Sequence, residues 1–264
     1  MRQIDINCDV GESFGNWQLA DDGGLLPLIT SANVACGFHA GDPVTLLRTV
    51  ARAAEHGVAI GAHPGYPDLL GFGRRHLALS AEDAYAYVVY QVGAVQAALR
   101  VAGAGALHHV KAHGAFSAAL ATDEEAAEAV VRAVADVTDA PMIYWDAMPQ
   151  PDVYASAAER RGIPVVRELY PDLHYRPDGT IAVQRKLAAV DLRAMREQLR
   201  RFVEDGEVLA TDGSRVPVEA QSICVHSDGP NALAVLHEIR DVLSDLSIEV
   251  APPTLVSQPS DSTT

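Results

Sequence analysis

The sequence predicts an α/β fold, a TIM-like (β/α) barrel of about seven parallel strands, and three observations carry that expectation. Five short apolar runs each end at a glycine-flanked Asp or His: Ile4 to Glu12, Asn33 to Asp42, Ala59 to Asp68, His109 to Ala115 and Ile223 to Pro230. An apolar run that halts at a polar residue and Gly reads as a buried parallel strand opening into a loop. Strand-like and helical stretches alternate about seven times, which implies a parallel sheet with right-handed crossovers. The polar strand ends follow early, middle and last strands alike. A closed barrel gathers them at one mouth, whereas an open doubly wound sheet, the alternative, would spread them along an edge.

Element by element, strands are expected at Gln3–Cys8, Ser31–Ala35, Val58–Ala62, Leu107–Lys111, Pro141–Tyr144, Val165–Leu169 and Ser222–Val225. Between them, Pro43–Glu55 reads as a helix with Asp42 as N-cap, Pro at its first position and Gly57 as its stop. Ser80–Val101 opens on Ser-Ala-Glu-Asp, a capping-box pattern, and ends at Gly103; Thr122–Val137 opens on Thr-Asp-Glu-Glu. Asp152–Arg161, Asp191–Val203 and Asn231–Leu246 complete the helices. Tyr170–Lys186 is rich in Pro, Asp and Gly and reads as a loop excursion with a hairpin piece at Gly179–Ala182. The Asp-Gly of Thr211–Ser214 signals a second hairpin. One barrel domain is expected over residues 1–251, followed by a disordered tail over 252–264.

Asp and Glu outnumber Lys and Arg by 35 to 20, a formal charge of −15. Such a surface repels phosphate backbones and argues against nucleic-acid binding. The three cysteines, Cys8, Cys36 and Cys224, lie in apolar runs without disulfide or zinc-ribbon spacing and read as small buried hydrophobes. No signal-peptide pattern and no long apolar segment appears, so a cytoplasmic protein with no membrane span is expected. Only two lysines are present, Lys111 and Lys186, in a chain that otherwise uses Arg. A lysine inside a strand-end run is therefore singled out, because its charge is readily tuned by burial.

The candidate site residues lie at the strand ends. Asp9 and Glu12 could supply a base or bind a cation, and Asn7 shares the face of Asp9 in a period-two strand. His39 and His63 sit in glycine-punctuated loops suited to acid–base work or ligation. His109, Lys111 and His113 alternate onto one strand face, an expensive arrangement unless used. Arg74 and Arg75 offer guanidinium groups that could hold a carboxylate. His226 and Asp228 share a face and could form a dyad; a Ser227 triad is disfavoured because Ser227 faces away and no nucleophile elbow is present. Asp9, His39, Lys111, His63 and His113 are the catalytic candidates. Asn7, Glu12, Arg74, Arg75, His226 and Asp228 are the substrate-binding candidates. A divalent metal held by Asp9, His39 and His63 fits in principle, although no tight ligand motif is present. There is neither a P-loop nor a dinucleotide fingerprint.

On Asp9–Glu12, Ser31–Pro43, Gly61–Asp68, Gly71–Arg75 and Ile223–His226 the chain resembles the LamB/YcsF family, over about Ile4 to Ala251. The resemblance implies a seven-stranded TIM-like barrel related to the glycoside hydrolase and deacetylase barrels. It also implies ATP-dependent opening of 5-oxo-L-proline to L-glutamate, with ATP as co-substrate, jointly with subunits B and C of a 5-oxoprolinase. The sequence departs from the family pattern at Ala112, at Phe116–Ala118 and around Leu173, where an Arg is missing; Arg74, Arg75 and Arg185 are candidates to replace it. The alternative functions are a stand-alone metal-dependent deacetylase and a non-enzymatic subunit that binds a lactam or sugar. A homodimer is a candidate assembly.

Overall fold

The structure is a computed structural model, and it describes residues 3–139, 141–147, 153–181 and 188–254. Its strands are β1 (Gln3–Val10), β2 (Ser31–Ala35), β3 (Ala59–His63), β4 (Ile143–Asp146), β5 (Val165–Leu169), β6 (Glu207–Leu209), β7 (Arg215–Pro217), β8 (Ser222–Val225) and β9 (Glu249–Val250). The helices are α1 (Asp22–Leu25), α2 (Pro43–Glu55), α3 (Ala81–Ala102), α4 (Gly114–Leu120), α5 (Glu124–Val137), α6 (Val153–Arg160), α7 (Leu192–Asp205) and α8 (Ala232–Asp245). Helices α1 and α4 are additions to the expected elements, and α7 runs two residues further than its pattern indicates.

The main sheet is parallel and curled, in the order β3-β2-β1-β8-β5-β4, with β9 paired to the start of β1. Its two edges are joined by the expected Leu107–Lys111 strand, whose His108 amide donates to the Ile60 carbonyl at 2.8 Å and whose His109 carbonyl accepts from the Ala62 amide at 3.0 Å. Val110 pairs in parallel with Ala62 of β3 on one side and Ile143 of β4 on the other. The Lys111 amide donates to the Ala62 carbonyl at 3.0 Å, and the Val110 amide donates to the Met142 carbonyl at 2.9 Å. The ring therefore closes as a barrel rather than remaining an open sheet. The β6–β7 hairpin forms around Thr211–Ser214, where the Asp-Gly signal places it. Tyr175 ties the loop excursion down by bridges to Ile181 and Ala210. The rest of the Gly179–Ala182 piece beyond Ile181, together with Arg185 and Lys186, lies outside the described residues, as does the tail beyond Thr254.

Helix ends follow their chemistry. The Asp42 carboxylate accepts from the Val44 and Thr45 amides, with Pro43 at the first position. In α5 the cap is Asp123 rather than Thr122. Among the described residues, no helix is long and apolar enough to cross a membrane.

The two faces of the strands differ. Ile6, Cys8, Val34, Ala62, Val110, Ile143, Leu169 and Ile223 are buried in the layer that packs against the helices. The alternate positions converge inside the ring and are polar. Asp5 accepts from Ser31, Thr30 and Ser222; above it Asn7, Asn33, His109, Glu168 and Ser222 bond one another. Buried polar groups are tolerated when their partners are present, and here the partners come from neighbouring strands at matching depth. The polar column leads to the carboxyl ends of the strands.

Candidate active site

The site is built from β1, the loops after β2 and β3, the Val110 strand and the start of α4. Asp9, near the end of β1, accepts at Oδ1 from Asn33 Nδ2 (2.8 Å) and Lys111 Nζ (3.2 Å). Its Oδ2 lies 3.4 Å from His63 Nε2. Lys111 Nζ also contacts Glu168 Oε2 at 3.2 Å, Cys224 Sγ at 2.8 Å and Asn7 Oδ1 at 3.4 Å. His63 Nδ1 meets the Lys111 carbonyl at 2.8 Å. His113, the residue capping α4, places Nδ1 3.0 Å from His63 Nε2 and Nε2 2.8 Å from the Phe72 carbonyl. His39 stacks on His113 with centroids 3.8 Å apart and planes 5° apart, and its Nε2 is 3.6 Å from Glu12 Oε1. Ser227 Oγ donates to Glu12 Oε2 at 3.0 Å.

Two glycines make this stacking sterically attainable. A Cβ on Gly65 would stand 2.7 Å from His39 Nδ1. One on Gly73 would stand 2.7 Å from the His39 Cβ and 2.8 Å from His113 Cδ2, at a φ of +61° that itself disfavours a side chain. The glycine punctuation of the sequence is thus the clearance around His39.

Burial sets the charge states. Burial would lower the Lys111 ammonium, but Asp9, Cys224 and Glu168 hold it well above its ordinary value. Burial works against Asp9 ionising too, yet His63 and Lys111 hold its carboxyl well below the usual range. Burial, with the charges of Asp9 and Asp228, pushes Glu12 well above its usual value. Burial, reinforced by neighbouring imidazoles, pushes His39 and His113 well below theirs. Burial and neighbouring charges therefore favour an ionised Asp9–Lys111 pair and work against charge on His39, His113 and Glu12. The Cys224 thiol is also raised by burial, so it stays protonated and acts as a partner of Lys111.

The LamB/YcsF family model matches residues 4–258. The chain belongs to the LamB/YcsF family. Among relatives of this family, the 5-oxoprolinase A subunit from Brevibacillus brevis is 46% identical over 95% of this chain and 98% of its own. The protein of the same description from Thermococcus onnurineus is 45% identical over 95% and 97%. A crystal structure of a lactam utilization protein from Thermus thermophilus superposes with a TM-score of 0.86 at 40% identity, covering 95% of this chain and 99% of the other.

Within this LamB/YcsF barrel, Asn7, Asp9, Glu12, His39, His63, Lys111 and His113 come together as the sequence indicates. Other expectations are redrawn. His226 does not pair with Asp228: its Nδ1 and amide both meet Asp172 Oδ2 at 2.9 Å. Asp228 instead receives both terminal nitrogens of Arg74, at 2.7 and 3.1 Å. Arg74 thus comes to the mouth with its fork already engaged. Arg75 turns to Asp68 with its side chain 52% exposed, away from the cluster. The metal set also regroups. Among the described residues, ligand atoms lie within 4.8 Å of one another in two groups, Glu12, His39, His63 and His113, and Asp9, Cys224 and His226, and in the second Asp9 Oδ1 is already held by Lys111 and Asn33. The structure adds Glu168, Asn33, Asp172 and Ser227 to the site, and it makes Cys224 a partner of Lys111 rather than plain core. A signal for two of them lies in the sequence: Asn33 and Glu168 each stand at a period-two position of an apolar strand, where a polar residue must point to the barrel interior.

Proposed function

We propose that the chain is the A subunit of an ATP-dependent 5-oxoprolinase that opens 5-oxo-L-proline to L-glutamate together with partner subunits B and C. The observation that carries this reading is near-full-length identity of 45% and 46% to relatives described as the A subunit of 5-oxoprolinase. The buried charge cluster at the strand ends supports it.

The chemistry suits a lactam. An unactivated amide is attacked slowly by water, and transfer of the ATP γ-phosphoryl group to the lactam oxygen makes the ring carbon electrophilic. Water then adds at that carbon, the ring C–N bond breaks as the nitrogen takes a proton, and the resulting γ-glutamyl phosphate is hydrolysed by a second water to L-glutamate and inorganic phosphate. Burial lowers the proton affinity of His39 and His113, so they bring lone pairs and no added positive charge to the site. Lys111 shares three N–H bonds among four acceptors, so it contributes through its charge, which favours an oxyanion developing above it. Asp9 fixes that charge and the His63 ring. The sequence has no P-loop, so ATP handling is assigned to the partner subunits. Around the mouth, Trp17 is 72% and Leu70 94% exposed, on the loops that follow β1 and β3. Apolar groups at such a rim suit a partner that covers the site.

The test combines this chain with B- and C-type subunits, 5-oxoproline and ATP and follows glutamate. Glutamate is expected only when all three chains are present. Its absence under every combination overturns the reading.

A further inference from the structure

The described cavities and surfaces outside the mouth offer less than one arrangement inside it. The ring nitrogens His63 Nε2 and His113 Nδ1 face each other at 3.0 Å. Each ring has its other nitrogen on a backbone carbonyl: His63 Nδ1 on Lys111 at 2.8 Å, His113 Nε2 on Phe72 at 2.8 Å. A carbonyl oxygen only accepts, so each of those outer nitrogens must carry the hydrogen. In neutral rings the two inner nitrogens then both present lone pairs, and no hydrogen lies between them. Two buried lone pairs at hydrogen-bond distance repel unless a cation stands beside both.

Two further groups point the same way. His39 is fully buried, yet neither of its ring nitrogens has a hydrogen-bond partner. An orphaned buried polar group costs about 1–3 kcal/mol, and here there are two orphaned atoms on one ring. Glu12 has one oxygen fixed by Ser227 and turns the other toward His39. Carbonyl-tethered imidazoles and a hydroxyl-tethered carboxylate are the supports that orient metal ligands. The separation fits as well. Two nitrogens bound tetrahedrally to one zinc, each about 2.0–2.1 Å away, stand about 3.3 Å apart.

We propose that Glu12, His39, His63 and His113 form a binding site for one divalent transition-metal ion of the zinc class. Three imidazoles with one carboxylate select such an ion over magnesium or calcium, which take oxygen ligands. The Asp9 carboxylate, with Oδ2 3.4 Å from His63 Nε2, adds negative charge beside the ion without being one of the four ligands. The proposal concerns binding alone and stands whether or not the chain opens a lactam.

The experiment uses the full chain without a histidine tag. Metal content is measured by mass spectrometry after purification without chelator. Chelator-treated protein, checked by circular dichroism for retained fold, is titrated with Co2+ and followed by visible absorption and by melting temperature. One ion per chain, a cobalt d–d band and a rise in melting temperature are expected. Glu12→Gln and His39→Asn should lose the band or weaken binding at least tenfold, and His237→Ala, on helix α8, should not. Should either site variant fail to fold, the wild-type titration decides. Absence of stoichiometric binding by the folded wild type overturns the proposal, and the facing imidazoles then share a proton. Binding that is unchanged in both folded site variants overturns it as well. Neither readout involves 5-oxoproline, so its failure is distinct from failure of the lactam-opening reading.

Discussion

Lys111 Nζ stands 3.2 Å from Glu168 Oε2 and 3.2 Å from Asp9 Oδ1, so one buried ammonium lies against two buried carboxyl groups. Breaking a buried ion pair by removing one partner is far more damaging than replacing both, because a lone charge is left without water. Lys111→Ala is therefore expected to cost about 3–5 kcal/mol of stability, along with turnover. Lys111→Met combined with Glu168→Gln should recover part of that stability and none of the activity. Chemical denaturation of the single and double variants checks this. A Lys111→Ala protein as stable as wild type would show that the pair is not structurally coupled.

Gly65 and Gly73 hold the space that His39 and His113 occupy. Gly73→Ala introduces a methyl group 2.7 Å from the His39 Cβ at a left-handed φ of +61°. Strain and overpacking together predict a loss of about 1–3 kcal/mol, with displacement of the stacked rings. Turnover should fall more than stability, since the displaced atoms are those of the site. An alanine variant with full kcat would remove the stacked geometry from the reaction.

His226 contributes a pH-dependent element. Burial lowers its affinity for a proton, but the Asp172 carboxylate outweighs burial and raises it above the ordinary value; Asp9 reinforces Asp172, Lys111 opposes it, and Cys224 and the Tyr170 ring also face it. A group with a raised folded value contributes stability that is fully present below its unfolded value, about 6.5. That contribution is lost as pH rises through the raised folded value. Asp172→Asn should therefore destabilise the protein most near pH 5.5–6, by about 1–3 kcal/mol, and less as pH increases. Melting curves across about pH 5.5 to 9 read this directly. A difference that grows with pH would place the proton elsewhere.

Much of the fold is legible because parallel barrel strands announce themselves at their carboxyl ends: β1, β2, β3 and β8 each stop close to the Asp, Gly or His that the sequence marks. The Leu107–Lys111 run has the pattern of a strand; its backbone bonds to β3 at His108, His109 and Lys111, and only Val110 pairs on both sides. The cluster of Asp9, His63, Lys111 and His113 is legible from alternation and from the scarcity of lysine. Asp172 and the partnership of Glu168 with Lys111 are not, because they depend on which strands lie next to β1 and β8 in the closed ring, and spacing along the chain does not encode that adjacency. For the same reason His226 and Asp228, two residues apart, take partners from other loops.

Arg74 and Asp228 join the loop after β3 to the loop after β8 through a bidentate pair, with side chains 7% and 11% exposed. Arg75 and Asp68 form a pair within one loop, with the Arg75 side chain half exposed and Asp68 still accepting from the Gly71 amide. Geometry and solvent predict unequal roles. Asp228→Ala leaves a guanidinium largely out of water with no carboxylate, at a cost of about 3–5 kcal/mol. Arg75→Ala removes a solvent-screened interaction and should cost much less. Raising the ionic strength should weaken the second contribution and leave the first nearly unchanged. Urea denaturation of both variants at low and high salt measures the contrast. Equal losses in the two variants would mean that the Arg74 fork is solvated and open to a ligand carboxylate, in place of being committed to Asp228.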